Sequence, residues 1–336
     1  MGSGSSVKAV GEALLVAGYG GHAGYAYAVA HELRKAGLTE SVILVAENYG
    51  YLVEKFKDLG RVHTLVLPRK PGEPLYAGLS RWAKALYHSI KLAVKYPVKV
   101  VFASGSNFSI PPSIASKAVR GASIYTLEAI EHFTKPSRSI KVLEGVKARV
   151  FLHWEEQLEI FPKGVVVGPV YEPPLYTPCD SGYVLVTTGT LGFKELFNSV
   201  EELKLEKVVV QTGDVDPEPY IKRNPSWVAF RYTSDIHKWI AGASVVVAQQ
   251  GLTASIATLA YGKPTVIAWN PRVVLGAPRL DVKLYAEKIG AFFLEEPRPD
   301  QLRKAIEHAS KPRREYPSGA AAIAETMLKS LGSINR

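Results

Sequence analysis

The chain has one cysteine in 336 residues, Cys179, which excludes a disulfide framework and fits a reducing compartment. It has no paired Cys/His spacing of a zinc site, no aromatic RNA-binding motif and no long basic run. Nucleic acid is therefore not the expected partner, in spite of a formal net charge of +10. No apolar run approaches the roughly 20 residues of a membrane-spanning helix. The opening MGSGSSVKAV lacks the charged and apolar regions of a signal peptide. What is present is 47% hydrophobic residues, enough for sizeable cores, on a length that suits two domains. Residues 1–178 hold 21 Lys+Arg against 14 Asp+Glu, so most of the positive excess lies in the first half. That placement suits an anionic membrane surface or a diphosphate lipid.

Strand-length apolar runs alternate with helical patterns. The first half carries ALLVA, SVILVA, HTLVLP, VKVVFAS, ASIYTL, ARVFLH and GVVVG, and the second GYVLVTT, KVVVQTG, WVAFRY, SVVVAQ, PTVIAW and GAFFL. Near-continuous Val/Ile/Leu runs predict parallel strands covered on both faces, hence an α/β fold with two Rossmann-like, doubly wound sheets. Between them Gly168 to Gly182 is proline-rich and reads as an extended linker. The expected division is 1–170, a linker at 171–181, 182–315, and a terminal alanine-rich helix in 316–336 that crosses back to the first domain.

The first run ends in Gly18, Gly20 and Gly21, after which Ala26, Val29, Ala30 and Leu33 recur at helical spacing. A glycine turn between the first parallel strand and its helix is where open α/β sheets bind ligands. His22 stands on that turn, where the positive end of the helix dipole favours neutral imidazole and so a proton acceptor. A phosphate-binding turn with a bystander histidine fits the same spacing. The G-x-G-x-x-G fingerprint is missing, so a nicotinamide enzyme is not expected.

Further along, Leu79, Trp82, Ala83, Leu86, Ile90 and Val94 form an apolar stripe on a helix expected from about Leu75 to Tyr96. Arg81, Lys84, His88, Lys91 and Lys95 gather on another face. The pattern fits a membrane-surface helix, with Arg81, Trp82, Lys84 and Lys91 as contacts, and equally a sheet-covering helix with a solvated basic face. The loop holding Ser106 and Asn107 follows a strand and can line a cleft. Glu128, at a strand end, can orient an acceptor hydroxyl, support His22 or cap a helix. In the second half, Gln249, Gln250 and Gly251 form a turn before a helix from Thr253 to Tyr261, and Thr188, Gly189 and Thr190 form another. Both can present amides to a diphosphate. Asp214-Val215-Asp216 has a metal-binding spacing but lies in a proline turn, so no metal is expected. Asp235 reads as a helix cap with His237 and Lys238 on the surface.

AGYGGHAGYAYAVAHELRKAG resembles the amino-terminal loop and helix of the MurG family of lipid-linked N-acetylglucosaminyltransferases. It also looks like the anchoring subunit of the eukaryotic transferase that adds the second N-acetylglucosamine to dolichyl diphosphate. IYTLEAIEHFTKPSRSIKVL resembles the I-Y-x-E…K-I-L segment of that subunit, with His132 where the family tends to have arginine. GYVLVTTGTLGFKELF, KVVVQTGDVDPEPY and SVVVAQQGLTASIATLAYGKPTVIAWN resemble, in order, the catalytic subunit's V-T-V-G-T, Q-x-G and donor-binding segments. The chain thus looks like both subunits fused, an archaeal-type homologue, or like a MurG-like monomer.

The resemblance implies a GT-B fold and an inverting transfer of N-acetylglucosamine from UDP-GlcNAc to a polyisoprenyl-diphosphate-linked sugar, through a β-1,4 bond. It implies His22 as base, Glu128 beside it, and Gly20, Gly21, Ser106 and Asn107 as the acceptor loop. Donor contacts fall on Thr188, Gly189, Thr190, Gln249, Gln250, Gly251, Thr253 and Ser255, with Arg279 and Asp281 at the sugar or phosphates. No cofactor or metal is implied, and the site of action is the cytoplasmic membrane face. The family's histidine and ribose-binding glutamate are replaced by Gln249 and Ala257. A UDP-GlcNAc epimerase and a non-catalytic binding subunit are the rival readings. Proline-rich loops and 21% charged residues suit a thermophile.

Overall fold

The structure is a computed structural model and describes residues 12–69, 73, 78–273, 277–312 and 315–334. Among the described residues, thirteen strands form two parallel sheets. The first contains β1 (Ala13–Gly18), β2 (Val42–Ala46), β3 (Arg61–Leu65), β4 (Val100–Ala103), β5 (Ser123–Leu127), β6 (Arg149–Leu152) and β7 (Val165–Val166), in the order β3-β2-β1-β4-β5-β6-β7. The second contains β8 (Tyr183–Thr187), β9 (Val208–Gln211), β10 (Val228–Phe230), β11 (Ala243–Gln249), β12 (Thr265–Ala268) and β13 (Phe292–Leu294), in the order β10-β9-β8-β11-β12-β13. Each of the thirteen apolar runs is a strand, and every pairing is parallel. β1 is buried at all six positions, as a strand covered on both faces must be.

The helices of the first lobe are α1 (Gly21–Lys35), α2 (Gly50–Phe56), α3 (Leu79–Lys95), α4 (Ile110–Arg120) and α5 (Arg138–Gly145). Those that follow are α6 (Lys194–Glu202), α7 (Glu218–Arg223), α8 (Ile236–Gly242), α9 (Leu252–Ser255), α10 (Arg279–Ile289), α11 (Pro299–His308) and α12 (Ala320–Ile334). α9 runs straight into a π-helical turn, Ile256–Ala260. In both sheets the chain reverses its winding direction beside the first strand, between β1 and β4 and between β8 and β11. Ligand crevices open at such points, and the two face each other across the lobes.

α12 packs along α1, with Ile323, Met327 and Leu331 buried and Ser330 hydrogen-bonded to Tyr125 of β5. The lobes also meet at Gly24 of α1. A Cβ there would lie 2.2 Å from Leu252 Cδ2 and 2.6 Å from Glu172 Oε1, so any larger residue would have to push these two side chains aside. Glu172, on the linker, is buried and holds both sides. Lys55 of α2 donates to it at 2.7 Å and His237 of α8 at 2.9 Å. Tyr261 bonds the other ring nitrogen of His237. The expectation of a surface His237 is therefore corrected, since a carboxylate and a phenol satisfy the ring in the interior. Asp235 does cap α8, accepting from the Lys238 amide.

α3 turns its small residues inward. Ala85, Ser89 and Ala93 face the sheet, while Leu79, Leu86, Tyr87, Ile90 and Val94 are exposed, Leu79 to 69% and Val94 to 59%. Small side chains let α3 lie close to α4, which leaves the larger stripe outside. The start of the expected helix, residues 75–77, lies outside the described residues. No described helix is long and apolar enough to cross a membrane.

Candidate active site between the lobes

The turn after β1 brings Gly20 and Gly21 against the second lobe. Positions for a Cβ on these residues lie 3.6 Å from the Thr190 hydroxyl oxygen and 3.6 Å from Leu252 Cβ. The uncapped N-terminus of α1 thus faces the uncapped N-terminus of α9 and the turn after β8. Amides at helix starts have no partner within the helix, and both dipoles point their positive ends at this seam. The Thr188 hydroxyl is buried and without a hydrogen bond, as is that of Ser106 on the loop after β4. A buried hydroxyl left unpaired is destabilising, so both atoms are suited to a ligand.

His22 lies half-buried at this seam. Its Nδ1–H donates to the Ser104 carbonyl at 2.8 Å, which fixes the tautomer and leaves Nε2 as an acceptor. Ser104 is itself held, its hydroxyl donating to the Val16 carbonyl at 2.7 Å. Gly105, at φ +105°, makes room for the imidazole, because a Cβ there would lie 2.8 Å from Cε1 and Nδ1 of the ring. Burial lowers the pKa of His22 against the opposing pull of the Ser104 bond and the Glu131 and Glu128 charges. The net shift favours the neutral ring.

Glu128 does not touch His22. Its carboxylate accepts the Ala129 amide at 2.8 Å and the Ser137 amide at 2.9 Å, and pairs with His132 at 3.2 Å. It braces the loop into α5, the capping alternative, because fully buried oxygens need those donors. Burial opposes ionisation of Glu128, but His132 and Ser137 hold its pKa below the ordinary value. His153 braces the same loop by donating to the Glu128 carbonyl at 2.9 Å, and burial pushes its pKa down to about 3.

Several expected donor contacts are engaged within the protein. Gln250 exchanges two hydrogen bonds with the Asn270 backbone, at 3.0 and 2.9 Å, and Asn270 also donates to Gln249 at 3.0 Å. Ser255 is fully buried against the Tyr285 hydroxyl, 2.6 Å away. Arg279 pairs with Glu295 at the surface. Asp281, 1% exposed, accepts the Phe133 and Thr134 amides at 2.8 and 2.9 Å, so it fastens the two lobes together. Asn107 donates to the Arg69 carbonyl. The Thr190 and Thr253 hydroxyls make no hydrogen bond among the described residues, and Gly189 and Gly251 shape the turns at φ +62° and +134°. Ala257 is buried in the core and has no polar atom beyond its backbone. Asp214 accepts from the Tyr232 hydroxyl and Asp216 pairs with Arg231 at 3.7 Å. No cluster of three His, Cys, Asp or Glu side chains placed to hold a metal occurs among the described residues.

Residues 183–331 match the family model described as the Glycosyltransferase family 28 C-terminal domain. Over 330 residues, and 86% of each chain, the protein is 23% identical to a UDP-N-acetylglucosamine--N-acetylmuramyl-(pentapeptide) pyrophosphoryl-undecaprenol N-acetylglucosamine transferase of Caldicellulosiruptor saccharolyticus. Among solved structures it resembles Acinetobacter baumannii MurG, with 17% identity, a TM-score of 0.56, and 95% of this chain and 99% of that one covered. It also resembles a putative UDP-N-acetylglucosamine 2-epimerase of Listeria monocytogenes, with 15% identity, a TM-score of 0.63, and 98% and 97% covered. The expected two-lobed architecture is thus the one these proteins share. The two lobes share the GT-B fold of these structures, and on the glycosyltransferase family 28 C-terminal domain over residues 183–331 the chain is a glycosyltransferase.

Proposed function

We propose that the protein transfers N-acetylglucosamine from UDP-GlcNAc to the 4-hydroxyl of a polyisoprenyl-diphosphate-linked sugar, with inversion. The observation that carries this reading is the geometry of His22, whose Nδ1 is fixed by Ser104 while Nε2 is left to accept a proton beside the facing helix starts. The diphosphate of the donor lies against the amides of α9 and the Thr188-Gly189-Thr190 turn. Nε2 takes the acceptor's proton as its oxygen forms the new bond to the anomeric carbon. The anomeric bond to phosphate breaks, and its electron pair leaves with UDP, stabilised by amides and hydroxyls. One in-line displacement gives the β-1,4 product.

The acceptor lipid reaches the cleft from a membrane met by α3. Support comes from the exposed Leu86, Ile90 and Val94, flanked by exposed Lys84 and Lys91. Of the other contacts expected there, Trp82 is half-buried and Arg81 is paired with Glu73. The acceptor of the N-glycan pathway, carried on dolichyl diphosphate at the inner membrane face, is the version we favour, on the resemblance of the Ile124 to Leu143 segment.

A radiolabelled transfer assay with UDP-GlcNAc and a synthetic polyisoprenyl-diphosphate GlcNAc tests the reading. Formation of the disaccharide lipid is expected. Release of the 2-epimer of the donor, or no product, would overturn it. His22→Ala is expected to lower turnover at least about a hundredfold with UDP affinity retained, and unchanged turnover would remove the base assignment.

A further inference from the structure

Four tyrosines run from the turn after β1 to the turn after β8. Tyr19, between Gly18 and Gly20, stacks on Tyr49 with ring centroids 5.1 Å apart and planes 3° from parallel. Tyr49 meets Tyr51 edge-on at 6.2 Å, and Tyr51, in the first turn of α2, stacks on Tyr232 at 5.5 Å and 9°. Tyr232 follows β10, so this last pair joins the two lobes. Its hydroxyl is shared between the Thr190 carbonyl, 3.1 Å away, and the Asp214 carboxylate, and the Asp214 amide donates to the same carbonyl at 2.8 Å. The backbones are close here, since a Cβ on Gly213 would lie 2.5 Å from the Thr190 carbonyl oxygen. Tyr232 and Asp214 thus support the Thr188-Gly189-Thr190 turn from behind, and a ring from the opposite lobe covers Tyr232. α2 is anchored at its other end, where Lys55 donates to Glu172 at 2.7 Å. All four rings are half-buried, outside the fully buried cores of the lobes.

From this geometry we infer that Tyr51 is a positioning residue that couples the two halves of the site. Stacked on Tyr232, it sets the donor turn from the acceptor lobe, so that acceptor and nucleotide bind more tightly together than apart. The inference rests on the transferase reading, in which the acceptor meets the Gly20-Gly21 turn and the donor diphosphate the turn after β8. A stack between lobes exists only while the lobes are closed, and a ligand that favours closure raises the affinity of a second ligand with the same preference. Offset-stacked rings also prefer one mutual orientation, which a flexible aliphatic contact does not impose. With Tyr51 in place, the Tyr232 hydroxyl is held at the Thr190 carbonyl. Without that ring, the hydroxyl can turn to Asp214 alone. The Tyr51 hydroxyl makes no hydrogen bond among the described residues, so the ring and not its polar end carries the effect. Asp281 and Glu172 draw the lobes together elsewhere, and neither bonds the donor turn.

The test is calorimetry of UDP, which cannot react, with and without a saturating synthetic polyisoprenyl-diphosphate GlcNAc, run beside the transfer assay. Wild type is expected to bind UDP about fivefold more tightly when the acceptor lipid is present. In Tyr51→Ala that gain should vanish while UDP alone binds as in wild type, and kcat should fall about tenfold. Tyr51→Phe keeps the ring and should keep both the gain and kcat. Tyr232→Phe keeps the stack but removes the hydroxyl from the Thr190 carbonyl, and should lose part of the gain. If disaccharide lipid forms but the gain is missing from wild type, or survives in Tyr51→Ala, the role of Tyr51 is overturned and the transferase reading stands. Equal weakening of UDP binding with and without acceptor in Tyr51→Ala also overturns it, since a residue of purely structural importance would behave that way. Absence of disaccharide lipid with wild type removes the transferase reading and this inference with it.

Discussion

Thr188 keeps a buried hydroxyl without a partner, an arrangement that costs on the order of 1–3 kcal/mol. Thr188→Val removes that penalty and with it a donor to the nucleotide. The variant is expected to unfold about 1 kcal/mol later in a urea titration, yet to bind UDP roughly tenfold more weakly by calorimetry. Weaker binding together with lower stability would mean that the hydroxyl supports the fold. At this scale the sequence was readable where chemistry is local. His22 follows two glycines and opens a helix, and that order alone implies a ring at a cleft. It was opaque where a side chain meets a partner far along the chain. Asp281 has an acid's look of a ligand contact, but its partners are 147 and 148 residues away. Glu172 gave no local signal at all, because nothing in its neighbouring residues marks a carboxylate that bridges two lobes.

Among elements, α3 is the one whose orientation the residue pattern left open. Its large apolar residues define a stripe, but Ala85, Ser89 and Ala93 are what pack inward. A stripe of small residues is invisible to a search for hydrophobic periodicity, although it is what allows α3 and α4 to lie close. Ile90→Asp with Val94→Asp should therefore leave the melting temperature within a few degrees while reducing flotation with anionic liposomes severalfold. Equal flotation of variant and wild type would count against α3 as the docking element. The strands, by contrast, were legible throughout, since a parallel strand covered on both faces has to be apolar at nearly every position.

For the whole molecule, the lobes are drawn together by Asp281, by the Lys55–Glu172–His237 set and by the bare face of α1 at Gly24. Gly24→Val places a side chain against Leu252 and Glu172, and the lobes must part to accommodate it. Its radius of gyration from X-ray scattering should rise, and kcat should fall more than about tenfold. An unchanged radius with full activity would mean that the approach seen at Gly24 is not needed for turnover. The even distribution of such contacts explains why the sequence implied a cleft without indicating how tightly it closes.

The path of α12 has a mechanical consequence. After completing the second sheet the polypeptide returns to lie on α1, so it passes between the lobes at two places, the linker and the approach to Ala320. A body hinged at two points turns about the line joining them and resists twisting in other directions. Opening of the cleft is thereby confined to one swing, with the helix that carries His22 lying beside the pivot.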